Sequence, residues 1–152
     1  MDSCRQTFGV NKYDLNSLSE FTLYGADIEF QYAFTPCGSL KANQCFGRTI
    51  ENEMSCTYES LFHRWFTLSF VDTKSPYPPN TNTSFWENPD GPGTGVLMIA
   101  SNGDPCYGLT RFMRVKFICD KTAELPSNIT GSQVDVCVFG LEIRAKQACP
   151  LQ

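Results

Sequence analysis

Histidine is nearly missing from this chain: His63 is the only one in 152 residues. A Ser or Cys hydrolase holds an imidazole between a nucleophile and an orienting acid. Nothing beside His63 has that form, so it reads as a surface or half-buried residue rather than a catalytic one. No CxxC pair occurs either, and structural zinc prefers close ligand pairs on a tight turn. There is no phosphate loop, because Gly91-Pro92-Gly93 lacks the following lysine and helix. Charge is sparse, at 18% of residues, against roughly 25% in ordinary soluble domains. No basic run exists, the net charge is −4 and the sequence pI is about 4.9. A surface of that kind does not release phosphate counterions, which argues against nucleic acid as a partner. No apolar stretch reaches the roughly 20 residues that span a bilayer. Met1-Asp2-Ser3-Cys4 also lacks the basic and apolar regions of a signal peptide.

Cysteine, by contrast, is plentiful. Eight residues, at positions 4, 37, 45, 56, 106, 119, 137 and 149, are spread over the whole sequence. An even number at wide spacing, without metal-ligand pattern, reads as disulfides formed in an oxidising compartment. Spacing alone leaves their pairing open. Two sequons, Asn82-Thr83-Ser84 and Asn128-Ile129-Thr130, agree with that compartment. The expected location is therefore the lumen of the secretory or endosomal–lysosomal pathway, or the cell exterior. A signal and any membrane anchor are expected outside these residues, as for the ectodomain of a membrane protein. With 41% apolar and 13% aromatic residues, residues 1–152 can bury one core and are read as a single domain.

The coarse pattern is all-β. Ile28, Phe30, Tyr32 and Phe34 alternate with Glu29, Gln31 and Ala33, and Trp65 to Val71 alternates likewise. Gly95 to Ala100 is a short apolar run closed by the turn pair Asn102-Gly103, and Arg111 to Cys119 and Val134 to Ile143 are rich in β formers. Met54, Tyr58, Leu61, Phe62 and Trp65 fall at helical spacing, so residues 51–64 admit a short amphipathic helix, against which Cys56 and Thr57 weigh. Residues 75–95, rich in proline, asparagine and glycine, read as a long surface loop.

In order, Tyr13-Asp14-Leu15-Asn16-Ser17-Leu18, Phe30 to Cys37, the Gly95–Ala100 run followed by Gly103-Asp104-Pro105-Cys106, Arg111 to Cys119, Cys137 to Ile143 and Ala148-Cys149 resemble the mannose-6-phosphate receptor homology domain. The resemblance extends over nearly the whole sequence. It implies a flattened β-barrel of about nine strands in two sheets. It also implies four disulfides: Cys4–Cys37, Cys45–Cys56, Cys106–Cys137 and Cys119–Cys149. Sugar-binding members of that family use a Gln, an Arg, a Glu and a Tyr from neighbouring strands. Such groups read vicinal hydroxyls through paired donors and acceptors.

Carried onto this sequence residue by residue, the match is partial. Arg111, five residues after Cys106 and eight before Cys119, fits the Arg position. The family Gln follows the cysteine of its strand, but here Cys45 is followed by Phe46 and preceded by Gln44. A one-residue shift turns a strand residue to the other face, unless a bulge restores it. Phe139 occupies the Tyr position and lacks the hydroxyl. No Glu lies in the window before Cys137, where Gln133 and Asp135 are the nearest substitutes. Asp104 resembles an acidic residue near phosphate or cation in some relatives and also reads as a turn aspartate. The expected function is therefore that of a non-catalytic binding module with a degenerate sugar site, directed to a protein or glycoprotein partner. The alternative is a lectin for mannose-type or mannose-6-phosphate glycans. No cofactor or metal is expected.

Overall fold

The computed structural model describes residues 4–71, 73–77 and 83–152. Thirteen strands follow one another among these: β1 (Arg5–Phe8), β2 (Asn11–Asp14), β3 (Leu23–Ala26), β4 (Phe30–Phe34), β5 (Glu53–Glu59), β6 (Arg64–Phe70), β7 (Ser84–Glu87), β8 (Gly95–Ala100), β9 (Pro105–Cys106), β10 (Leu109–Thr110), β11 (Phe112–Cys119), β12 (Thr130–Asp135) and β13 (Val138–Ala145). Nine of them make two sheets, in the orders β3-β4-β5-β6 and β12-β13-β11-β8-β7. Only β11 and β13 run parallel within the larger sheet. The β1–β2 and β9–β10 hairpins stand apart.

Alternation explains which face each strand buries. Met113, Val115 and Phe117 of β11 and Phe139, Leu141 and Ile143 of β13 point between the sheets, against Phe30, Tyr32 and Phe34 of β4. Both edges of the four-stranded sheet are fastened to segments of the larger one. At one, Gly25 bridges Ile129, and a Cβ on Gly25 would fall 2.0 Å from the Ile129 carbonyl oxygen. At the other, buried Asn102 accepts from Phe70 N–H (3.1 Å) and donates to Phe70 C=O (3.2 Å). Its amide stands in for a neighbouring strand. Gly103 then lies so close to β6 that a Cβ would meet the Leu68 and Thr67 carbonyls at 2.5 and 2.6 Å. The Asn-Gly pair therefore serves as a clamp as well as a turn. With both edges of the smaller sheet tied, the two twisted sheets enclose one core in the shape of a flattened, incompletely closed barrel.

Four bridges complete the frame: Cys4–Cys37, Cys45–Cys56, Cys106–Cys137 and Cys119–Cys149. Their Cα–Cα distances of 4.4–6.2 Å lie within the range that disulfides span.

Four local readings are corrected. Residues 51–64 form β5 and the start of β6, not a helix. Pairing of β5 with strands on both sides satisfies its backbone, and Tyr58 and Trp65 meet as a cross-strand pair, centroids 4.8 Å apart. The stretch 75–95 contains an edge strand, β7, paired to β8. Val134 to Ile143 is divided between β12 and β13, which pair with each other. Ile28 does not share the buried face of β4. It sits in the preceding turn at 98% exposure, because Asp27 accepts from the N–H groups of Glu29 and Phe30 and closes the turn there.

Candidate functional site

A cavity of about 170 Å³ opens at one end of the two sheets. Each wall comes from the end of a strand. Phe30 begins β4, Glu59 ends β5, Arg64 and Phe66 begin β6, Arg111 immediately precedes β11, and Gln133 and Phe139 come from β12 and β13. Tyr107 and Val136 form the rim. They flank the Cys106–Cys137 bridge, which ties the two rim segments together with Cα atoms 5.9 Å apart.

Arg111 is oriented by its backbone. Its N–H donates to Asp104 C=O (2.7 Å), and its own carbonyl accepts from Gly103 N–H (3.0 Å). Asp104 is in turn fixed to β6, exchanging bonds with Thr67 through backbone and carboxylate. The guanidinium lies 3.8 Å from the centroid of the Phe66 ring, a close cation–π contact. Its Nε is buried without a hydrogen-bond partner among the described residues. Burial pulls the Arg111 pKa below its ordinary value, the nearby Asp104 opposing that shift.

Three other polar side chains of the cavity are already engaged. Glu59 Oε1 accepts from Arg64 Nε (2.8 Å) and Nη2 (2.5 Å). Gln133 donates its amide to Val136 C=O (2.8 Å). Phe139 forms the floor: it is fully buried and packs edge-on against Phe30 (5.1 Å) and Tyr32 (6.0 Å).

The structure thus brings Arg111, Gln133 and Phe139 together and leaves three other candidates outside. Gln44 lies away from the cavity, its carbonyl accepting from Lys41 N–H (2.7 Å) and Thr22 Oγ1 (3.1 Å). Phe46 points to the far side of the smaller sheet and packs against Tyr24 and Tyr58. Asp135 is exposed, and its carboxylate accepts from Val136 N–H (2.7 Å). His63 shares a hydrogen bond with Tyr58 Oη (2.8 Å) on the exposed β5–β6 hairpin. Asn128 is exposed, whereas Asn82 falls outside the described residues.

Glu59, Arg64, Phe66 and Tyr107 line the cavity although no sequence motif marks them. Tyr107 has one signal, its position next to Cys106. Glu59 and Arg64 have only their symmetric placement about a hairpin that the helical spacing disguises. A larger groove of about 690 Å³ runs over the outer face of the five-stranded sheet, past Leu97, Arg114, Lys116 and Glu142. None of the positions implied by the resemblance faces it.

Behind the cavity lies a buried acid. Glu53 accepts from Arg48 Nη2 (2.9 Å) and from Thr67 Oγ1, while its Oε1 is buried without a partner. Burial raises the pKa of Glu53 above the ordinary carboxylate value, against the opposing pull of Thr67 and Arg48. Burial raises Asp104 too. In both cases the folded state holds the proton more tightly than the unfolded state. Their contribution to stability is therefore complete below the usual carboxylate range and declines as pH rises through the raised folded values. We expect Glu53→Gln to make the urea midpoint less steeply dependent on pH between about 4 and 7. An unchanged slope would show that Glu53 titrates normally.

No family model matches this sequence, and no curated protein matches it. Solved structures do. Domain 11 of the echidna mannose-6-phosphate/IGF2R receptor superposes with a TM-score of 0.63 at 18% identity, covering 100% of this chain and 98% of that one. Chicken IGF2R domain 11 gives 0.66 at 16% identity, covering 96% and 90%. The MRH domain of Yos9, solved in complex with alpha3,alpha6-Man5, gives 0.51 at 14% identity, covering 88% and 80%. The chain therefore has the fold of the mannose-6-phosphate receptor homology domain, a flattened β-barrel stapled by four disulfides.

Proposed function

We propose that this protein is a single non-catalytic binding module of the mannose-6-phosphate receptor homology type, whose sugar site has degenerated and which binds a protein or glycoprotein partner. The four disulfides favour the lumen of the secretory or endosomal–lysosomal pathway, or the cell exterior, as its compartment. The observation that carries the reading is the state of the cavity around Arg111. Its volume, about 170 Å³, is below the roughly 300–1,000 Å³ of small-molecule sites. The Arg111 guanidinium packs against Phe66, and Glu59, the one carboxylate lining the cavity, is engaged by Arg64. Phe139 offers no hydroxyl.

Each missing partner for a sugar hydroxyl costs about 1–3 kcal/mol, and millimolar affinity amounts to only about 4 kcal/mol. Loss of two partners removes most of it. The lectin reading keeps one support, the glycan complex of the Yos9 neighbour on the same fold. Titration of the oxidised protein with methyl mannoside and mannose 6-phosphate separates the two. We expect no saturable binding tighter than millimolar. Micromolar binding abolished by Arg111→Ala would establish the lectin instead.

A further inference from the structure

We infer that Arg111 is the anchor for a carboxylate of the protein partner, supplied by an Asp or Glu residue or by the partner's C-terminus; the inference rests on the protein-binding reading above. Two guanidinia, Arg64 and Arg111, and one carboxylate, Glu59, line the cavity. Arg64 holds Glu59 through two hydrogen bonds. Arg111 has no such counter-ion: among the described residues, no ion pair joins it to an acid. Its nearest acidic neighbour by electrostatic influence, Asp104, spends its carboxylate on the Thr67 N–H. Among the side chains lining the cavity two cations therefore face one carboxylate, in a protein whose net charge is −4.

Geometry then selects the ligand. The ring of Phe66, its centroid 3.8 Å from the guanidinium carbon, packs against the fork. The forked edge of a guanidinium matches the two oxygens of a carboxylate. Among the described residues the Arg111 Nε is a buried donor without an acceptor, which a carboxylate would supply. Uncharged acceptors such as sugar hydroxyls would satisfy the donors but add no counter-charge beside the half-buried guanidinium. The small volume suits a single carboxylate-bearing group entering from the rim, past Tyr107 at 89% exposure. A Lys at position 111 would retain the charge but lose both the stacking plane and the fork.

The test uses the folded, oxidised protein and three probes: N-acetylglutamate amide, its neutral glutamine analogue and methyl mannoside. The signal is the Arg111 Nε–Hε cross-peak in a nitrogen–proton NMR spectrum, assigned by its loss in Arg111→Lys. We expect the carboxylate probe to shift this peak saturably at millimolar concentration, with the glutamine analogue at least tenfold weaker. Arg111→Lys should lose the saturable shifts of Gln133 and Tyr107 backbone amides while keeping the rest of the spectrum, which separates lost binding from lost folding. Equal shifts from the neutral analogue, no shift from the carboxylate, or binding retained in Arg111→Lys would overturn the carboxylate anchor. Saturable binding of mannoside tighter than millimolar would instead overturn the protein-binding reading on which it rests.

Discussion

Replacing Cys119 and Cys149 together by alanine is expected to lower the unfolding free energy by about 3–4 kcal/mol. The bridge closes a separation of 30 residues and joins the end of β11 to the segment after β13. In the chain-entropy model, cutting it restores to the unfolded state the freedom of a loop of that size. In the folded state the same segment keeps weaker ties: Asp120 N–H to Ala145 C=O (3.1 Å), Cys149 N–H to Lys146 C=O (3.0 Å) and Leu151 N–H to Lys12 C=O (2.7 Å). The fold should therefore survive with reduced stability. Cys45–Cys56, which closes only 11 residues, should cost about 1 kcal/mol less by the same model. Denaturant titrations of the two double variants check the order. A smaller loss for the longer loop would show that native packing, rather than loop closure, sets the contribution of these bridges.

Phe139→Ala is expected to cost about 3–5 kcal/mol, the range for deleting a fully buried aromatic ring. Phe139 contacts the core from the parallel pair β11–β13 and meets two rings of the opposite sheet, Phe30 and Tyr32. Truncation therefore opens a void between the sheets beneath Arg111, where edge-fastened strands have little room to collapse. Phe139→Tyr is the informative companion. It restores the family hydroxyl, but in a site where the parent ring is fully buried, and an unpartnered buried hydroxyl costs about 1–3 kcal/mol. We expect that loss and no gain of mannose binding, because Glu59 remains held by Arg64. Denaturation and a mannoside titration on the same variant test both parts. A stable Phe139→Tyr that binds mannoside would show that the missing hydroxyl alone had closed the sugar site.

Local pattern and covalent chemistry make part of this protein legible from its residues alone. Alternation marks Phe30, Tyr32 and Phe34 as a buried face, because residue direction along a strand has a period of two, and the short continuous apolar run Gly95–Ala100 marks a strand without it. The even, widely spaced cysteines point to disulfides, since neither zinc spacing nor catalytic context accompanies them. The position of Arg111 between Cys106 and Cys119 places it at the start of a strand fixed at both ends by a bridge. The direction of Phe46 and the surroundings of Arg111, however, are settled by long-range packing. Phe46 has a left-handed backbone, φ 51°, and so departs from the alternation on which its expected direction rested. Glu59, Arg64 and Phe66 come from a hairpin whose register includes two shifts between β5 and β6. They meet Arg111 from far along the sequence because the Asn102 and Asp104 clamps draw the segment before β11 onto β6. Contacts of that kind depend on long-range register and on the backbone hydrogen bonds of two particular residues. Neither leaves a periodic trace in the sequence.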